Sequence, residues 1–322
     1  MSSPQSEYAS GSSAWLVLRK FNSLFWQGLC IVAVTISVAA LGFVLIYLLV
    51  QGFQALKPSI LFEGPTPMGD PGGGLRNAIC GTLVLIGVAA CVGLPFGILG
   101  GIYQVESKGP FASTVRFLTD VLNSIPSIVL GIFVYVLVVL PTANFRPDKG
   151  FYTGFSRLFG HGFAAWVATQ MPRGFSALAG GIALGFIMIP TVMRTTEEIL
   201  RLVPNTMREA SLALGAPRWR TMWSIILPSA RGGIITGIML ALSRVAGETA
   251  PLLFTALGNL TFSVDLRHPI DALPLAIYND ATSGYDYLHQ QAEAGAILLI
   301  LIVFVMSLAA RLATSGGMQQ KT

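Results

Sequence analysis

The chain has 322 residues, of which 53% are hydrophobic and only 11% are charged, and its formal net charge is +5. Soluble domains carry roughly 25% charged residues, so this composition excludes an ordinary water-soluble globule and indicates a membrane protein. No basic run is interleaved with aromatic residues, which argues against nucleic-acid binding. The three cysteines lie in apolar runs without metal-ligand or disulfide spacing. We therefore expect no metal and no other cofactor.

Long apolar segments predict an all-α polytopic membrane protein with about six transmembrane helices. The first span is expected at about 28–50, after a loose tail at 1–27, because this apolar run is long enough to cross a bilayer and too long for a signal peptide. Pro126 is expected to kink the third span or to separate a surface segment from it. The membrane domain should cover 28–313, before a short tail at 314–322. Its other spans are predicted at about 78–103, 115–140, 175–193, 232–257 and 292–313.

The distribution of basic residues predicts the orientation of these spans. If the N-terminus is cytoplasmic, twelve basic residues fall in inside segments and seven in outside segments, and one more, Arg244, falls within a span. Cytoplasmic loops are enriched in Lys and Arg. We therefore predict a multi-pass membrane protein, in contact with lipid and with both termini in the cytoplasm.

The polar segment 208–230, REASLALGAPRWRTMWSIILPSA, interrupts the apolar pattern between two predicted spans. We expect Glu209 to lie early in a helix, where the positive end of the helix dipole favours a carboxylate. Gly215 permits a sharp exit from that helix, and Pro217 prevents the helix from resuming at once. The segment is thus predicted to be a short helix and a turn on the cytoplasmic side.

The pattern E-A-S-x₃-G-x₉-I-x-L-P, which starts at Glu209, resembles the EAA loop of bacterial ABC-importer permeases. This resemblance implies a type I ABC-importer permease fold, in which the loop forms a coupling helix that docks on a cytoplasmic ATPase. Ser211 departs from the alanine usual in that family. The alternative is an ordinary amphipathic cytoplasmic loop. The residues expected to couple to the ATPase are Glu209, Ala210, Ala213, Leu214, Gly215, Ala216 and Pro217.

A second polar group, Arg244 and Glu248, falls inside the predicted fifth span, within RVAGETAPLLFTALGN. Residues four apart share a helix face, and ionisable residues inside a membrane normally face a bundle interior or a water-filled path. One interpretation is a structural ion pair. The other is a translocation path in which Arg244 meets an anion, since guanidinium forms paired hydrogen bonds with oxyanions. Thr249 completes the expected path group.

The run from Arg244 to Asn259, together with GGGLRNAICGTL at 72–83 and LNSIPSIVLGIF at 122–133, is similar to the PstA-type permeases of bacterial phosphate importers. By that resemblance the substrate is inorganic phosphate and the protein lies in the bacterial inner membrane. The implied partners are a PstC-like permease, a PstB-like ATPase homodimer and a periplasmic phosphate-binding protein. A related oxyanion importer and the PstC-like sister subunit are the alternatives within this class.

An enzyme and a secondary transporter are the two other classes of function that are alternatives to an ABC importer. No phosphate-binding G-x₄-G-K-[ST] loop is present, so ATP hydrolysis is assigned to a partner and this chain is expected not to be an enzyme. An intramembrane enzyme needs paired polar residues on facing helices, and a secondary transporter often shows inverted repeats.

Arg76, just outside the second span, is expected to be either an anion contact at the outer mouth or an interfacial anchor.

Overall fold

A computed structural model describes residues 11–67, 69–107, 109–145 and 150–315. Over these ranges the chain is almost entirely helical and has no β-strand, which confirms the all-α prediction. The helices are α1 (Gly11–Ala55), α2 (Pro58–Phe62), α3 (Arg76–Glu106), α4 (Pro110–Ser124), α5 (Ser127–Val134), α6 (Leu140–Ala143), α7 (Gly150–Phe159), α8 (His161–Gln170), α9 (Ala177–Leu202), α10 (Asn205–Ala213), α11 (Arg218–Thr221), α12 (Leu227–Ala246), α13 (Ala250–Leu253), α14 (Leu273–Ala281) and α15 (Asp286–Ser315). Single π-helical turns join α5 to α6 and α11 to α12.

Five of these helical segments are long and apolar enough to cross a membrane, and a sixth span is obtained if the bent pair α4 and α5–α6 counts as one. The prediction of about six spans is therefore confirmed. The bend between the two halves of the pair is 106°. It falls at Pro126, whose predicted role as the point of interruption is correct, because proline disfavours helix in the residue before it and removes a backbone donor.

The predicted boundaries of the first and fifth spans were wrong. The tail at 1–27 is not loose over its described part, because α1 begins at Gly11 and continues without a break into the first span. The fifth span does not run to Leu257, because α12 ends at Ala246 and a turn at Gly247 follows. Residues 1–10 and 316–322 of the predicted tails lie outside the described residues, and residues 314 and 315 continue α15.

The core is built on close contact between α3 and α9. A Cβ added at Gly97 would lie 2.6 Å from Cβ of Val192, and one at Gly93 would lie 2.8 Å from Cβ of Met188. Both contacts advance by four residues in the same direction, so the two helices are parallel. The glycine-rich face of the second span therefore allows close backbone approach, as its composition predicted.

Helix α12 also packs against α9 and runs antiparallel to it. A Cβ at Gly233 would lie 2.6 Å from Cγ2 of Ile199, and one at Gly237 would lie 2.6 Å from Oγ1 of Thr195. Helix α1 contacts α15 at Gly52, and the large apolar side chains described along α1 are otherwise mostly exposed. Exposed apolar surface on a membrane helix is surface for lipid or for another membrane helix.

Candidate functional site

The predicted coupling segment forms a short helix, α10, followed by a tight turn. Glu209 is the fifth residue of α10 and not part of its first turn, so the expected interaction with the helix dipole is absent. Glu209, Ala210, Ala213 and Leu214 are exposed, and Leu214 is 89% exposed. The small apolar surface expected for docking is therefore present and uncovered in the isolated chain.

The exit from α10 requires glycine. Gly215 has φ +81, in the left-handed region, and its amide donates to the carbonyl of Leu212. Side chains with a Cβ rarely adopt this conformation. Ala216 is half-buried, and Pro217 is extended and immediately precedes α11. The sharp turn was correctly predicted, but α11 begins at the residue directly after Pro217, so the proline delays the next helix by a single residue.

Ser211, which departs from the family pattern, is the one buried residue of α10. Its hydroxyl lies 2.8 Å from the hydroxyl of Thr221 in α11. This contact joins the two arms of the turn, so the predicted coupling loop is held as a unit. This pairing was not predictable from residue spacing, because the glycine turn separates the two partners.

Arg244 and Glu248 do form an ion pair, with Nε and Oε1 3.8 Å apart, but not on one helix face as predicted. Arg244 lies in the last turn of α12, and Glu248 follows the turn at Gly247. The Arg244 side chain is 51% exposed and that of Glu248 is 18% exposed. Thr249 is half-buried and directly precedes α13.

The helix contacts place Arg244 near the middle of the bundle. Arg244 is about two turns further along α12 than Gly237, which contacts Thr195, so it is level with Met188 of the antiparallel α9. Met188 in turn packs on Gly93, halfway along α3. Helix α13, just after Glu248, packs against α5, where a Cβ at Gly131 would lie 2.5 Å from Cα of Pro251.

Arg76 does not join this group. It begins α3, about 25 Å from Gly93 along the helix axis at about 1.5 Å per residue. Its guanidinium carbon lies 4.8 Å from the centre of the Phe262 ring, a cation–π contact. Of the two interpretations offered for Arg76, this contact favours an anchor, and the structure does not bring it together with Arg244.

A buried carboxylate that the sequence analysis missed lies at the other end of the bundle. Oε1 of Glu197 contacts Arg116 at 2.9 Å and Arg201 at 2.7 Å, and the Glu197 side chain is 4% exposed. Its second oxygen, Oε2, is buried without a hydrogen-bond partner among the described residues. The spacing of Glu197 and Arg201 was a usable signal, because residues four apart on a helix interact. This signal was missed because the predicted fourth span, 175–193, ended before both residues.

The last non-membrane segment before α15 carries a group of acids near a cavity of 550 Å³. Burial raises the pKa of Asp271 to about 6. Burial, with a smaller contribution from the charge of Asp271, raises the pKa of Asp280 to about 7. By contrast, hydrogen bonds from Arg267 lower the pKa of Asp265 to about 2. Two of these acids are thus poised to change charge near neutral pH.

Comparison with curated proteins gives consistent relatives. The chain is 38% identical to the phosphate transport system permease protein PstA of Yersinia pestis, over 87% of this chain and 88% of that protein. It is 42% identical to PstA of Xylella fastidiosa, over 78% of each chain. It is 37% identical to PstA 1 of Mycobacterium tuberculosis, over 74% of this chain and 69% of that protein. Relatives named as transport permeases support a transport subunit over an intramembrane enzyme.

Solved structures and a family model agree on the fold. A bacterial ABC transporter for alginate, in complex with its periplasmic protein, matches with a TM-score of 0.57 at 16% identity, over 92% of this chain and 95% of that one. The methionine ABC transporter MetNI matches with a TM-score of 0.50 at 19% identity, over 75% of this chain and 93% of that one. Residues 93–315 match the model for binding-protein-dependent transport system inner membrane components. The chain belongs to this family of ABC-importer permeases, and within it to the PstA type.

Proposed function

We propose that this chain is one of two permease subunits of an ATP-driven importer of inorganic phosphate, and that it transmits the motion of the ATPase through α10. The observation that carries the proposal is the position of Arg244. It lies at mid-depth in the bundle, beside a helix break, with half of its side chain uncovered. A charge at that depth does not face lipid in a stable assembly.

The uncovered side of Arg244 is therefore assigned to a path shared with a second permease. Glu248 lies 3.8 Å away, which is close enough to balance the charge of Arg244 and too far for a strong hydrogen bond. An arriving phosphate can thus compete for the guanidinium without breaking a strong hydrogen bond between Arg244 and Glu248. Phosphate is the substrate named for the PstA relatives, and a guanidinium suits its paired oxygens.

The resemblance to PstA-type permeases and the uncovered residues of α10 support the proposed assembly. We assign the sister subunit to a PstC-like permease, the ATPase to a PstB-like homodimer docked on α10, and delivery to a periplasmic phosphate-binding protein. The docking residues are the exposed members of 209–217, and the turn at Gly215 fixes their direction. Both termini are then cytoplasmic, on the same side as α10.

Uptake by the reconstituted complex tests the path. We expect Arg244→Gln to slow phosphate uptake about 10- to 150-fold, because charge-assisted hydrogen bonds contribute about 1.5–3 kcal/mol. The matched control is Arg231→Gln, which removes an exposed charge from the same helix. A panel with arsenate and sulfate measures selectivity. Normal uptake by Arg244→Gln, with a lowered melting temperature, would identify a structural ion pair instead.

A further inference from the structure

A basic cavity lies between the ends of α3 and α9 and the coupling loop. Its volume is 690 Å³, within the range of small-molecule sites. It is separate from Arg244, which does not line it. Four arginines line its wall: Arg116, Arg201, Arg208 and Arg218.

The acids near this cavity neutralise only part of that charge. Arg208 pairs with Glu106, and both Arg116 and Arg201 contact the single oxygen Oε1 of Glu197. The four guanidinium groups carry four positive charges and the two carboxylates carry two negative charges, so an excess of two positive charges remains. Arg201 is also half-exposed, so its remaining N–H groups are free to reach a ligand.

Arg218 supplies a further donor group. Its side chain is exposed and has no hydrogen-bond or ion-pair partner in the part of the chain that the structure describes. The first residue of α10, Asn205, lines the same cavity. Unpaired N–H groups in the first turn of a helix attract anions, so the helix end adds to the field of the arginines.

We propose that this cavity binds a phosphate-group oxyanion, at a site distinct from the translocation path. Guanidinium groups recognise phosphate by paired, charge-assisted hydrogen bonds. The anion would contact α9 through Arg201 and the coupling loop through Arg218, and would thereby link the two. The site rests on the proposed function for its orientation, since it faces the ATPase side only if α10 does.

Two sources offer the same chemistry, free inorganic phosphate and the phosphate of an anionic lipid headgroup. The complete complex is therefore placed in nanodiscs of phosphatidylcholine, and equilibrium binding of radiolabelled inorganic phosphate is measured. In a second arm, the nanodiscs contain phosphatidylglycerol and the buffer contains no inorganic phosphate, and the lipid retained on the complex is quantified by native mass spectrometry.

The test variant is Arg201→Gln/Arg218→Gln, and the matched control is Arg220→Gln/Arg231→Gln, which removes two exposed arginines that do not line the cavity. We expect the test variant to bind either inorganic phosphate or phosphatidylglycerol about tenfold more weakly than the control variant does. The arm in which this loss appears identifies the source. Equal binding by test and control variants in both arms overturns the proposal.

The proposed function fails in a different way. Arg244→Gln reports on the path and leaves the cavity intact, so phosphate binding lost in Arg244→Gln belongs to the path. Absence of phosphate uptake by the wild-type complex refutes the importer assignment. The comparison of test and control variants in the binding assay does not depend on uptake.

Discussion

The turn at Gly215 offers a direct test of coupling, because a substitution there changes the backbone conformational energy without disturbing side-chain packing. Gly215 has φ +81, and no atom lies within 4 Å of the position that a Cβ would take. A substitution therefore introduces backbone strain without a steric clash. For an L-residue the left-handed conformation costs about 1–2 kcal/mol, and a β-branched residue is the most unfavourable there. Asparagine tolerates it.

We expect Gly215→Val to weaken ATPase association about 5- to 30-fold, which is the effect of about 1–2 kcal/mol on an equilibrium. Gly215→Asn should stay close to wild type. The matched control is Gly232→Val, because Gly232 also has open space around it but no positive φ. Affinity is measured by titrating the purified ATPase onto the permease pair in nanodiscs, alongside coupled ATP hydrolysis. If Gly215→Val and Gly215→Asn bind alike, the strained turn does not position α10.

Two further predictions concern stability. Glu197→Ala should destabilise the complex by about 1–3 kcal/mol, because it removes a buried carboxylate that two arginines contact. Glu198→Ala, which removes an exposed pair, should cost about 0–1 kcal/mol. Equal shifts in melting temperature would contradict the burial argument. Burial raises the pKa of Asp280 from an ordinary 3.8 to about 7, which means that the folded state favours the neutral carboxyl group. The contribution of Asp280 to stability is therefore complete below about pH 4 and is lost as the pH rises through about 7. Asp280→Asn should therefore reduce the fall in melting temperature over that window, while Asp286→Asn should not, and parallel pH profiles for wild type and Asp280→Asn would refute the assignment.

Local sequence rules predicted the helical class, the number of spans and the turn at Gly215. Apolar runs of about 20 residues have few alternatives in a bilayer, because every backbone polar group must be satisfied within the helix. The break at Pro126 was predictable for a similar reason, since proline acts on its immediate neighbours. The positive φ of Gly215 likewise follows from the residue type and its place after a short helix.

Rules of spacing were less successful where a helix ended inside an apolar segment. Arg244 and Glu248 were assigned to one helix face, and the observed end of α12 at Ala246 places them on either side of a turn. The apolar pattern continues past that end, so periodicity gave no signal. Packing of α13 against α5 accompanies the break, and such a contact is not encoded in local sequence.

The sequence by itself determined that this chain is a polytopic membrane protein whose spans are interrupted by a polar helix and turn, because composition, hydropathy and motif spacing are local properties. Only the tertiary structure decided which charges meet. Arg76, expected to be either an outer-mouth anion contact or an interfacial anchor, lies far from Arg244. Arg116 and Arg201, from two helices, converge on one buried oxygen of Glu197. Contacts between helices depend on their register, and here that register is set by the close approach of α3, α9 and α12 at their glycines.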